Sequence, residues 1–221
     1  MLYIVATPIG NLGDITYRAV EILKEVDLIL CEDTRQARKL LNHYEIDTAV
    51  KVYHAHSHEK ASKDILRQLR EGQSIALISD AGTPLINDPG ILLIKEAIEN
   101  EIIVIPVPGA SAFLAALVAS GLDTNKFSFW GFVPHKKGRQ TFWKKLNEEK
   151  NTIVFYESCH RIMKALTEMT EFCPEKKVVV GRELTKKFEE FVRGTPAEVL
   201  KYFTDNVTKG EFVLVVGEVK Q

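Results

Sequence analysis

Two carboxylates stand where buried strands of a parallel sheet would end. Asp80 follows the apolar run 75–78 and opens the loop SDAGTPLINDPG, and Asp33 lies just beyond the apolar run 28–31. Ligands bind at the carboxyl ends of such strands, because backbone N–H groups and helix N-termini point there. Both carboxylates can therefore face one cleft and contact a ligand, whereas Asp33 can equally well cap the helix that follows it.

A glycine pair near the N-terminus allows a comparison with dinucleotide-binding loops. Gly10 and Gly13 follow the first apolar run, and Asp33 lies at the position along the chain where such proteins contact a ribose. The third glycine of that pattern is missing, and Pro8 lacks the N–H that a phosphate would use. A tight turn in another kind of sheet is therefore a better interpretation than a nicotinamide or flavin site.

Three alternating histidines follow the run 50–53. In an extended segment His54, His56 and His58 would point to one side, as the ligands of a metal can. No cysteine or carboxylate stands beside them at the spacing of known ligand sets. A solvated strand end and contact with an anionic substrate are the alternatives, and we predict no metal site.

The segment 134–150, PHKKGRQTFWKKLNEEK, concentrates positive charge around a glycine. Phe142 and Trp143 are interleaved with the basic side chains, a combination that suits phosphate contacts with base stacking. A solvated helix face is the alternative. The basic side chains are those of His135, Lys136, Lys137, Arg139, Lys144 and Lys145.

The elements that must position these residues alternate between strand and helix. This alternation predicts parallel pairing with right-handed crossovers in the first half of the chain, and we place Asp88 at the N-cap and Pro89 at the first position of the fourth helix. After GLDTNK at 121–126 the sequence becomes rich in aromatic residues and then in basic residues. The sequence therefore predicts two α/β domains, residues 1–120 with a parallel sheet and residues 121–221 with a mixed sheet. Strands are predicted at 2–7, 28–31, 50–53, 75–78, 102–105, 127–133, 152–156, 177–181, 188–192 and 211–219. Among the predicted helices, two span 59–70 and 158–172, and a third at 112–120 is rich in alanine, leucine and valine, as a closely packed helix would be. Thr195 and Glu198 predict a capping box at the start of the last helix.

Composition sets the outer limits on function. The chain has 221 residues and a formal net charge of −1, so a nucleic-acid partner would need a local basic patch. Cys31, Cys159 and Cys173 lie far apart and predict free thiols, with Cys31 in the core. No run approaches the roughly 18 apolar residues of a membrane helix, and the N-terminus lacks the basic start of a signal peptide. We expect a cytoplasmic protein without a membrane segment.

Several stretches, taken in order, resemble the tetrapyrrole methylase superfamily. They are IVATPIGNLGDIT at 4–16, CEDTR at 31–35, SDAGTPLINDPG at 79–90, PVPGASA at 106–112, FYESCHRI at 155–162 and GREL at 181–184. The resemblance implies two α/β domains with S-adenosylmethionine in the cleft between them, usually in a homodimer. It is closest to a branch that methylates the ribose 2′-hydroxyl of a cytidine in small-subunit (16S) ribosomal RNA, either as free RNA or within the assembled subunit. Members acting on tetrapyrroles carry Gly-Asp-Pro where this chain has Gly82-Thr83-Pro84, which argues against a tetrapyrrole substrate.

The resemblance also implies roles for individual residues. Asp80 would hold the sulfonium cation of the cofactor, and the acceptor hydroxyl needs a base, for which Asp33, Glu157 and Glu183 are the candidates. Arg35, Arg161 and Arg182 would orient phosphate or stabilise the alkoxide, and Lys136, Lys137 and Arg139 would bind RNA. The residues bordering the cofactor would be Pro8, Ile9, Asp80, Gly82, Thr83, Ile86, Ser111, Ala112 and Tyr156.

Three alternatives remain open at this stage. A methyltransferase of the same fold could act on a tetrapyrrole or on a modified protein side chain, although neither substrate requires the basic segment 134–150. A non-catalytic module would bind nucleotide or RNA without methyl transfer. A nicotinamide oxidoreductase is the third and would bind NADH.

Overall fold

The computed structural model describes residues 1–53 and 59–218. The alternating histidines His54, His56 and His58 lie outside the described residues. The chain divides into two compact units, Met1–Ser111 and Ala112–Gln221. We predicted a boundary after residue 120, so the apolar helix that follows Ser111 belongs to the second unit instead of the first. No described helix is long and apolar enough to cross a membrane.

The first unit is a five-stranded parallel sheet with helices on both faces, as the alternation of strand and helix predicted. The strand order is β3-β2-β4-β1-β5, and every pairing is parallel. A 3-10 turn, Leu12–Asp14, precedes the first helix. The elements are β1 Leu2–Val5, α1 Tyr17–Glu25, β2 Leu28–Cys31, α2 Thr34–His43, β3 Val50–Val52, α3 Glu59–Arg70, β4 Ile75–Leu77, α4 Ile91–Glu99 and β5 Val104–Val107.

Alternation along the strands builds two separate cores on the two faces of this sheet. Leu2 and Ile4 of β1 pack with α3 and α4, while Val5 packs with α1 and α2 on the other face. Cys31 is buried among the latter group, as predicted, and burial raises the pKa of its thiol to about 11. A strand that is apolar on both faces therefore marks the middle of a three-layer unit.

The position of β4 determines where the loops open. Strand β4 lies between β2 and β1. The helices that follow β1 and β2, α1 and α2, cover one face of the sheet, whereas α4, which follows β4, covers the other face. Neighbouring connections that leave toward opposite faces diverge, and a crevice forms at the carboxyl ends of those strands. The loop between β4 and α4, residues 78–90, is therefore central to the candidate site.

The start of α4 corrects one prediction. The helix begins at Ile91, and Gly90 is its N-cap with φ +126°, so Asp88 and Pro89 lie in the loop. A β-carbon on Gly90 would stand 2.7 Å from Leu85 Cδ2. The turn into α4 therefore depends on glycine geometry, which a search for a capping side chain does not reveal.

The second unit is a mixed five-stranded sheet, which confirms the predicted sheet type. Its order is β6-β7-β10-β8-β9, with β6 parallel to β7 and the remaining pairs antiparallel. The predicted capping box is present: Thr195 N donates to Glu198 Oε2 at 2.8 Å, and Glu198 N donates to Thr195 Oγ1 at 3.3 Å. The elements are α5 Ala112–Val118, β6 Phe127–Phe132, α6 Arg139–Glu148, β7 Thr152–Ser158, α7 Ile162–Phe172, β8 Lys177–Arg182, β9 Glu190–Gly194, α8 Pro196–Asp205 and β10 Glu211–Gly217.

One face of the second sheet carries the main core of this unit, and α5 lies against the strands from the other side. Helices α6, α7 and α8 pack on Phe155, Val180 and Leu214 of the sheet, while α5 contacts β7 and β10. Trp143 of α6 is fully buried in this core, and Phe142 packs edge-on against it with ring centroids 5.0 Å apart. Trp143 therefore has no surface on which a base could stack, so the prediction is wrong for this residue, whereas Phe142 is only partly buried and its stacking stays a prediction.

Candidate active site

Three loops of the first unit are joined at the carboxyl ends of β1, β4 and β5. Thr7 and Gly82 exchange backbone hydrogen bonds, with N···O distances of 2.9 and 3.1 Å. Thr83 Oγ1 donates to Ala110 O at 3.1 Å. The sequence stretches singled out as TPIG, SDAGTP and PVPGAS thus form one connected structure, in which a displacement of one loop must displace the others.

Glycine allows these loops to lie close together. Gly82 has φ +81°, and a β-carbon there would stand 3.2 Å from Ile9 Cγ2. A β-carbon on Gly109 would stand 2.9 Å from Ala6 Cβ, closer than real β-carbons approach. Both positions therefore require glycine for backbone proximity, and Gly82 requires it also for its left-handed conformation.

The loop after β4 holds two further residues in an unfavourable backbone conformation. Leu85 has φ +74° and Asn87 has φ +66°; this region is uncommon for asparagine and a clear outlier for leucine. Such strain persists where the surroundings impose it, and it concentrates at ligand sites. The backbone of this loop thus supports the assignment of a site that the strand order already indicates.

A group of carboxylates lies at the ends of β2 and β4. Asp33 N donates to Asp80 Oδ1 at 3.2 Å, which brings the two loops together. Burial, followed by the charges of Asp88 and Asp80, raises the pKa of Glu32 to about 7. Burial also raises the pKa of Asp88, an effect that a hydrogen bond from Ser79 opposes. Sequence reasoning missed Glu32 and Asp88 as site residues, although both stand beside residues that it identified.

The arrangement of these acids fits a cationic ligand. Glu32, Asp80 and Asp88 repel one another, so a positive group placed among them would relieve that repulsion. Asp80 is exposed at the end of its strand and open to such a group. The hydrogen-bonded loops after β1, β4 and β5 lie at the same edge of the sheet as these acids.

Asp33 has a defined structural role. Its Oδ1 accepts a hydrogen bond from Arg35 N at 2.8 Å as the N-cap of α2, and Arg35 Nη2 lies 2.7 Å from its Oδ2. The hydrogen bonds from the Arg35 side chain and backbone lower the pKa of Asp33 to about 2. A carboxylate held ionised so firmly is a weak proton acceptor. The capping alternative is therefore confirmed, while its catalytic role stays a prediction.

The other residues predicted to border the cofactor lie in both units. Pro8 and Ile9 follow β1, Thr83 and Ile86 lie in the loop after β4, and Ser111 ends the first unit. Ile9 is buried and the others are partly exposed. In the second unit Ala112 begins α5 and Tyr156 lies in β7, both partly exposed. Contact of these residues with the cofactor stays a prediction.

Glu157 lies in a buried network of charges. Its side chain has no exposed surface; Arg161 Nη2 lies 2.8 Å from Oε1 and Arg139 Nη1 lies 3.7 Å from Oε2. Arg139 also contacts Glu168 at 2.7 Å, and the same Glu168 oxygen accepts a hydrogen bond from Trp143 Nε1 at 2.9 Å. The network links β7 to α6 and α7.

Two predictions are corrected by this network. Glu157 presents no surface to a substrate, so it does not fit the part of a base that touches the reacting hydroxyl. The side chain of Arg139 is 6% exposed and engaged with acids and with Pro134 O, so it has no surface for RNA. The basic pattern of the segment 134–150 gave no sign that one of its cations belongs to the core.

The remaining arginines and Glu183 are paired within the second unit. Arg182 contacts Glu190 and Lys209 O at 2.6 Å each. Burial opposes ionisation of Glu183, but hydrogen bonds from Lys186 and from Glu211 N outweigh it and lower its pKa. Arg161 donates to Ser158 Oγ and Val133 O. Their catalytic and RNA-binding roles stay predictions.

The turn between β6 and α6 presents the exposed part of the basic segment. His135, Lys136 and Lys137 are all exposed there. The turn is held from below, because Arg161 donates to Val133 O and Arg139 donates to Pro134 O, both at 3.0 Å. Buried Arg139 and partly buried Arg161 therefore fix the backbone of the turn that carries the exposed cations.

Comparison with known proteins identifies relatives along nearly the whole chain. The family model of Tetrapyrrole (Corrin/Porphyrin) Methylases matches residues 1–200. A protein of Synechocystis named ribosomal RNA small subunit methyltransferase I is 50% identical over 98% of this chain and 78% of its own length. The Bacillus subtilis protein of that name is 46% identical over 98% of this chain and 74% of its own length.

Solved structures show the same fold at low identity. A diphthine synthase superimposes with a TM-score of 0.78 at 13% identity, covering 100% of this chain and 91% of its own. A cobalt precorrin-4 methyltransferase superimposes with a TM-score of 0.72 at 20% identity, covering 98% and 94%. These findings confirm the predicted fold class of two α/β domains. The chain belongs to the tetrapyrrole (corrin/porphyrin) methylases and is a methyltransferase that uses S-adenosylmethionine.

Proposed function

We propose that this enzyme transfers a methyl group from S-adenosylmethionine to the ribose 2′-hydroxyl of a cytidine in small-subunit ribosomal RNA. The observation that carries the proposal is the identity of 46–50% over nearly the full chain to proteins named for methylation of this RNA. The ribose oxygen and the cytidine follow from the motif resemblance. The enzyme acts in the cytoplasm, as a homodimer, on RNA within the small ribosomal subunit.

The residues of the first unit fit the cofactor. S-adenosylmethionine supplies an activated methyl group on a positively charged sulfonium. Asp80 and its acidic neighbours Glu32 and Asp88 balance this charge, and the connected loops around Gly82 and Thr83 hold the surrounding atoms in place. Rigid loops suit the reaction, because an in-line displacement depends on alignment, and good alignment corresponds to effective molarities of about 10⁵ M or more.

A proton must leave the acceptor hydroxyl, and the surroundings of the acids favour one of them. Asp33 has a pKa of about 2, Glu183 has a lowered pKa, and Glu157 is buried. Glu32 has a pKa of about 7, which suits exchange of a proton near neutral pH. We therefore add Glu32 to Asp33 as a candidate base.

Methyl transfer to ribosomal subunits tests the function directly. Small subunits from cells lacking the gene are incubated with the enzyme and methyl-labelled S-adenosylmethionine, and the RNA is then digested with alkali. A 2′-O-methyl group blocks cleavage at the adjacent phosphodiester, so the expected label lies in an alkali-resistant dinucleotide. Label in a mononucleotide would indicate base methylation instead. Absence of label, with cofactor binding intact by calorimetry, would exclude this substrate and direct the search to small-molecule and protein acceptors.

A further inference from the structure

Five aromatic rings of the second unit form a continuous row, which we call the aromatic strip. Neighbouring ring centroids lie 6.3, 4.7, 5.0 and 5.4 Å apart from one end of the row to the other, within the range of attractive ring contacts. The second contact is stacked and the last two are edge-on. In order, the strip consists of Phe127, Phe113, Phe129, Tyr156 and Phe132.

A β-bulge brings Phe132 into this row. Phe129 pairs with Val154 and Phe132 pairs with Tyr156, so three steps along β6 correspond to two steps along β7. Side chains alternate between the faces of a strand, and without the extra residue Phe132 would point away from Phe129. Gly131, with φ +69°, lies within the bulge. The strand thus departs from regular geometry to place one more aromatic ring on this face.

The strip ends in exposed rings. Phe132 is 50% exposed and Phe127 is 38% exposed, whereas Trp143, Phe155 and Phe203 of the same unit are fully buried. Leaving a large ring in water forgoes the free energy that burial would provide. Bulges next to functional sites commonly re-aim a side chain, so an exposed ring placed by a bulge is a candidate for contact with a ligand.

Positive charge begins a few residues after Phe132. Lys136 and Lys137 are exposed in the turn that follows β6, and Val133 between strand and turn is buried. Hydrogen bonds from Arg139 to Pro134 O and from Arg161 to Val133 O fix the backbone of this turn. An exposed ring and two cations are therefore held at neighbouring positions on a rigid support.

We propose that the aromatic strip is a stacking site for an unpaired base of the RNA substrate, with Phe132 as the ring that the base covers. Single-stranded RNA offers the matching chemistry, because each nucleotide combines a flat π-face with a negative phosphate. The adjacent lysines bind the phosphate that flanks the stacked base. This inference rests on the proposed function and names the surface that takes up the RNA.

The lysines favour RNA over a second copy of the chain as the occupant. The core of a protein interface is depleted of charged residues, whereas here two exposed lysines follow the exposed ring in the turn after β6. The position of Tyr156 agrees with this choice: it is predicted to border the cofactor, and its ring contacts Phe132 at 5.4 Å.

Four proteins test the proposal: wild type, Phe132→Ala, Phe132→Trp and Phe188→Ala. Phe188 is 65% exposed between β8 and β9 and serves as the matched control. Because Phe132 is half exposed, its removal leaves the core intact, and thermal unfolding verifies this for each variant. Two readouts are measured. The first is the KM for small subunits lacking the methyl group, and the second is the affinity for a single-stranded RNA containing 2-aminopurine, whose fluorescence reports stacking.

We expect Phe132→Ala to raise the KM and the RNA Kd by about 5- to 150-fold, which corresponds to the contribution of about 1–3 kcal/mol from a stacked base. Phe132→Trp should stay within about twofold of wild type and Phe188→Ala should match it, because both retain a ring at position 132. The affinity for S-adenosylmethionine should be the same in all four proteins. Equal RNA affinity of Phe132→Ala and wild type would overturn the proposal.

Two further outcomes separate this proposal from its premises. If wild type methylates no small subunits, the proposed function fails, and the 2-aminopurine measurement still decides whether Phe132 stacks on a base. If Phe132→Ala instead converts a dimer to a monomer in sedimentation, with RNA affinity per subunit unchanged, the strip is an interface between copies and the stacking site is refuted.

Discussion

Neighbouring carboxylates at the end of β2 differ in their readiness to accept a proton. Asp33 caps α2 and pairs with Arg35, and its pKa falls to about 2. Burial, with Asp88 and Asp80 nearby, raises the pKa of Glu32 to about 7. Two residues that are adjacent in sequence therefore suit different roles: Asp33 stabilises the start of α2, and Glu32 is the better candidate for exchanging a proton.

This division predicts different losses of turnover for two isosteric substitutions. Glu32→Gln should lower kcat by about 10²-fold or more if Glu32 is the base, the usual range for general base catalysis. Asp33→Asn should lower kcat less, because asparagine still caps α2. Affinity for S-adenosylmethionine, measured by calorimetry, should change little in Asp33→Asn. The reverse order of the two kcat values would restore Asp33 as the leading candidate.

Glu32 should also leave a signature in the pH dependence of stability. Its native pKa of about 7 exceeds the ordinary 4.5, so the native state binds this proton more tightly than the unfolded state does. The stability that it contributes is complete below pH 4.5 and is lost as the pH rises through 7. Glu32→Gln, which mimics the protonated form, should match wild type at about pH 4 and exceed its stability at about pH 8. We expect about 1 kcal/mol, because partial exposure screens the effect.

Urea unfolding of both proteins across this pH range provides the measurement. Glu21→Gln is the control for loss of one carboxylate, since this glutamate is exposed on α1 of the same unit. A wild-type stability that coincides with that of Glu32→Gln on the alkaline side would contradict the raised pKa.

Individual residues show what sequence alone could identify. The burial of Cys31 followed from its place in an apolar strand, and Asp33 as a cap followed from its place before a helix. The burial of Arg139 could not be predicted, since its acidic partners Glu157 and Glu168 come from β7 and α7. A charged residue predicts an exposed side chain only where no oppositely charged residue from a distant part of the chain pairs with it in the core.

At the scale of elements, the loops after β1, β4 and β5 depend on close backbone approach. Gly82→Ala should destabilise the first unit by about 1–2 kcal/mol for its left-handed backbone, plus the cost of displacing Ile9 Cγ2, which lies 3.2 Å from the added β-carbon. Because the backbones of Gly82 and Thr7 are hydrogen-bonded to each other, a displacement of Gly82 should also move the loop after β1 and weaken S-adenosylmethionine binding. Thermal unfolding and calorimetry measure the two effects.

Gly72→Ala is the control for this substitution. Gly72 has φ +94°, and among the described residues no atom beyond its chain neighbours lies within 4 Å of the place that a β-carbon would take. The variant should therefore show the backbone cost alone, with unchanged cofactor affinity. Equal cofactor affinity in both variants would mean that the contact between the loops of β1 and β4 does not shape the site.

Element boundaries were predictable where local signals set them. The capping box at Thr195 marked the start of α8 correctly, and α3 has its predicted limits. The helix expected from Ser158 begins instead at Ile162, because β7 continues through Ser158, which pairs with Glu211 of β10. Pairing with a strand that is distant in sequence overrides local helical spacing, and the periodicity of the segment carries no sign of it.

At the scale of the whole molecule, two units with separate cores were predictable and their boundary was not. The change from alternating strand and helix to an aromatic, basic segment indicated a second unit. The apolar residues of α5 indicated burial without showing which sheet they cover, and α5 lies against β7 and β10. A helix rich in alanine and leucine could pack on the sheet of either unit, so only the three-dimensional structure shows to which unit it belongs.

Net charge is also a property of the whole molecule, and here it conceals the RNA-binding surface that we propose. The total is −1, so attraction to RNA must come from local cations such as Lys136 and Lys137. Replacing both with alanine should lower affinity for small subunits and reduce the salt slope of binding by about 0.7 for each phosphate that the protein no longer neutralises. Arg139 is left unchanged, because removing one partner of a buried ion pair costs about 3–5 kcal/mol and would confound the result with unfolding.

The matched control removes equal charge elsewhere: Lys187→Ala with Lys201→Ala, both exposed in the second unit. Long-range attraction depends on total charge and would weaken equally in both double variants, whereas a phosphate contact depends on where the charge stands. We therefore expect the salt slope to fall in the Lys136/Lys137 variant and to stay near wild type in the control. Equal slopes in the two double variants would show that the turn after β6 is a solvated surface, and the phosphate contacts would then have to come from other cations.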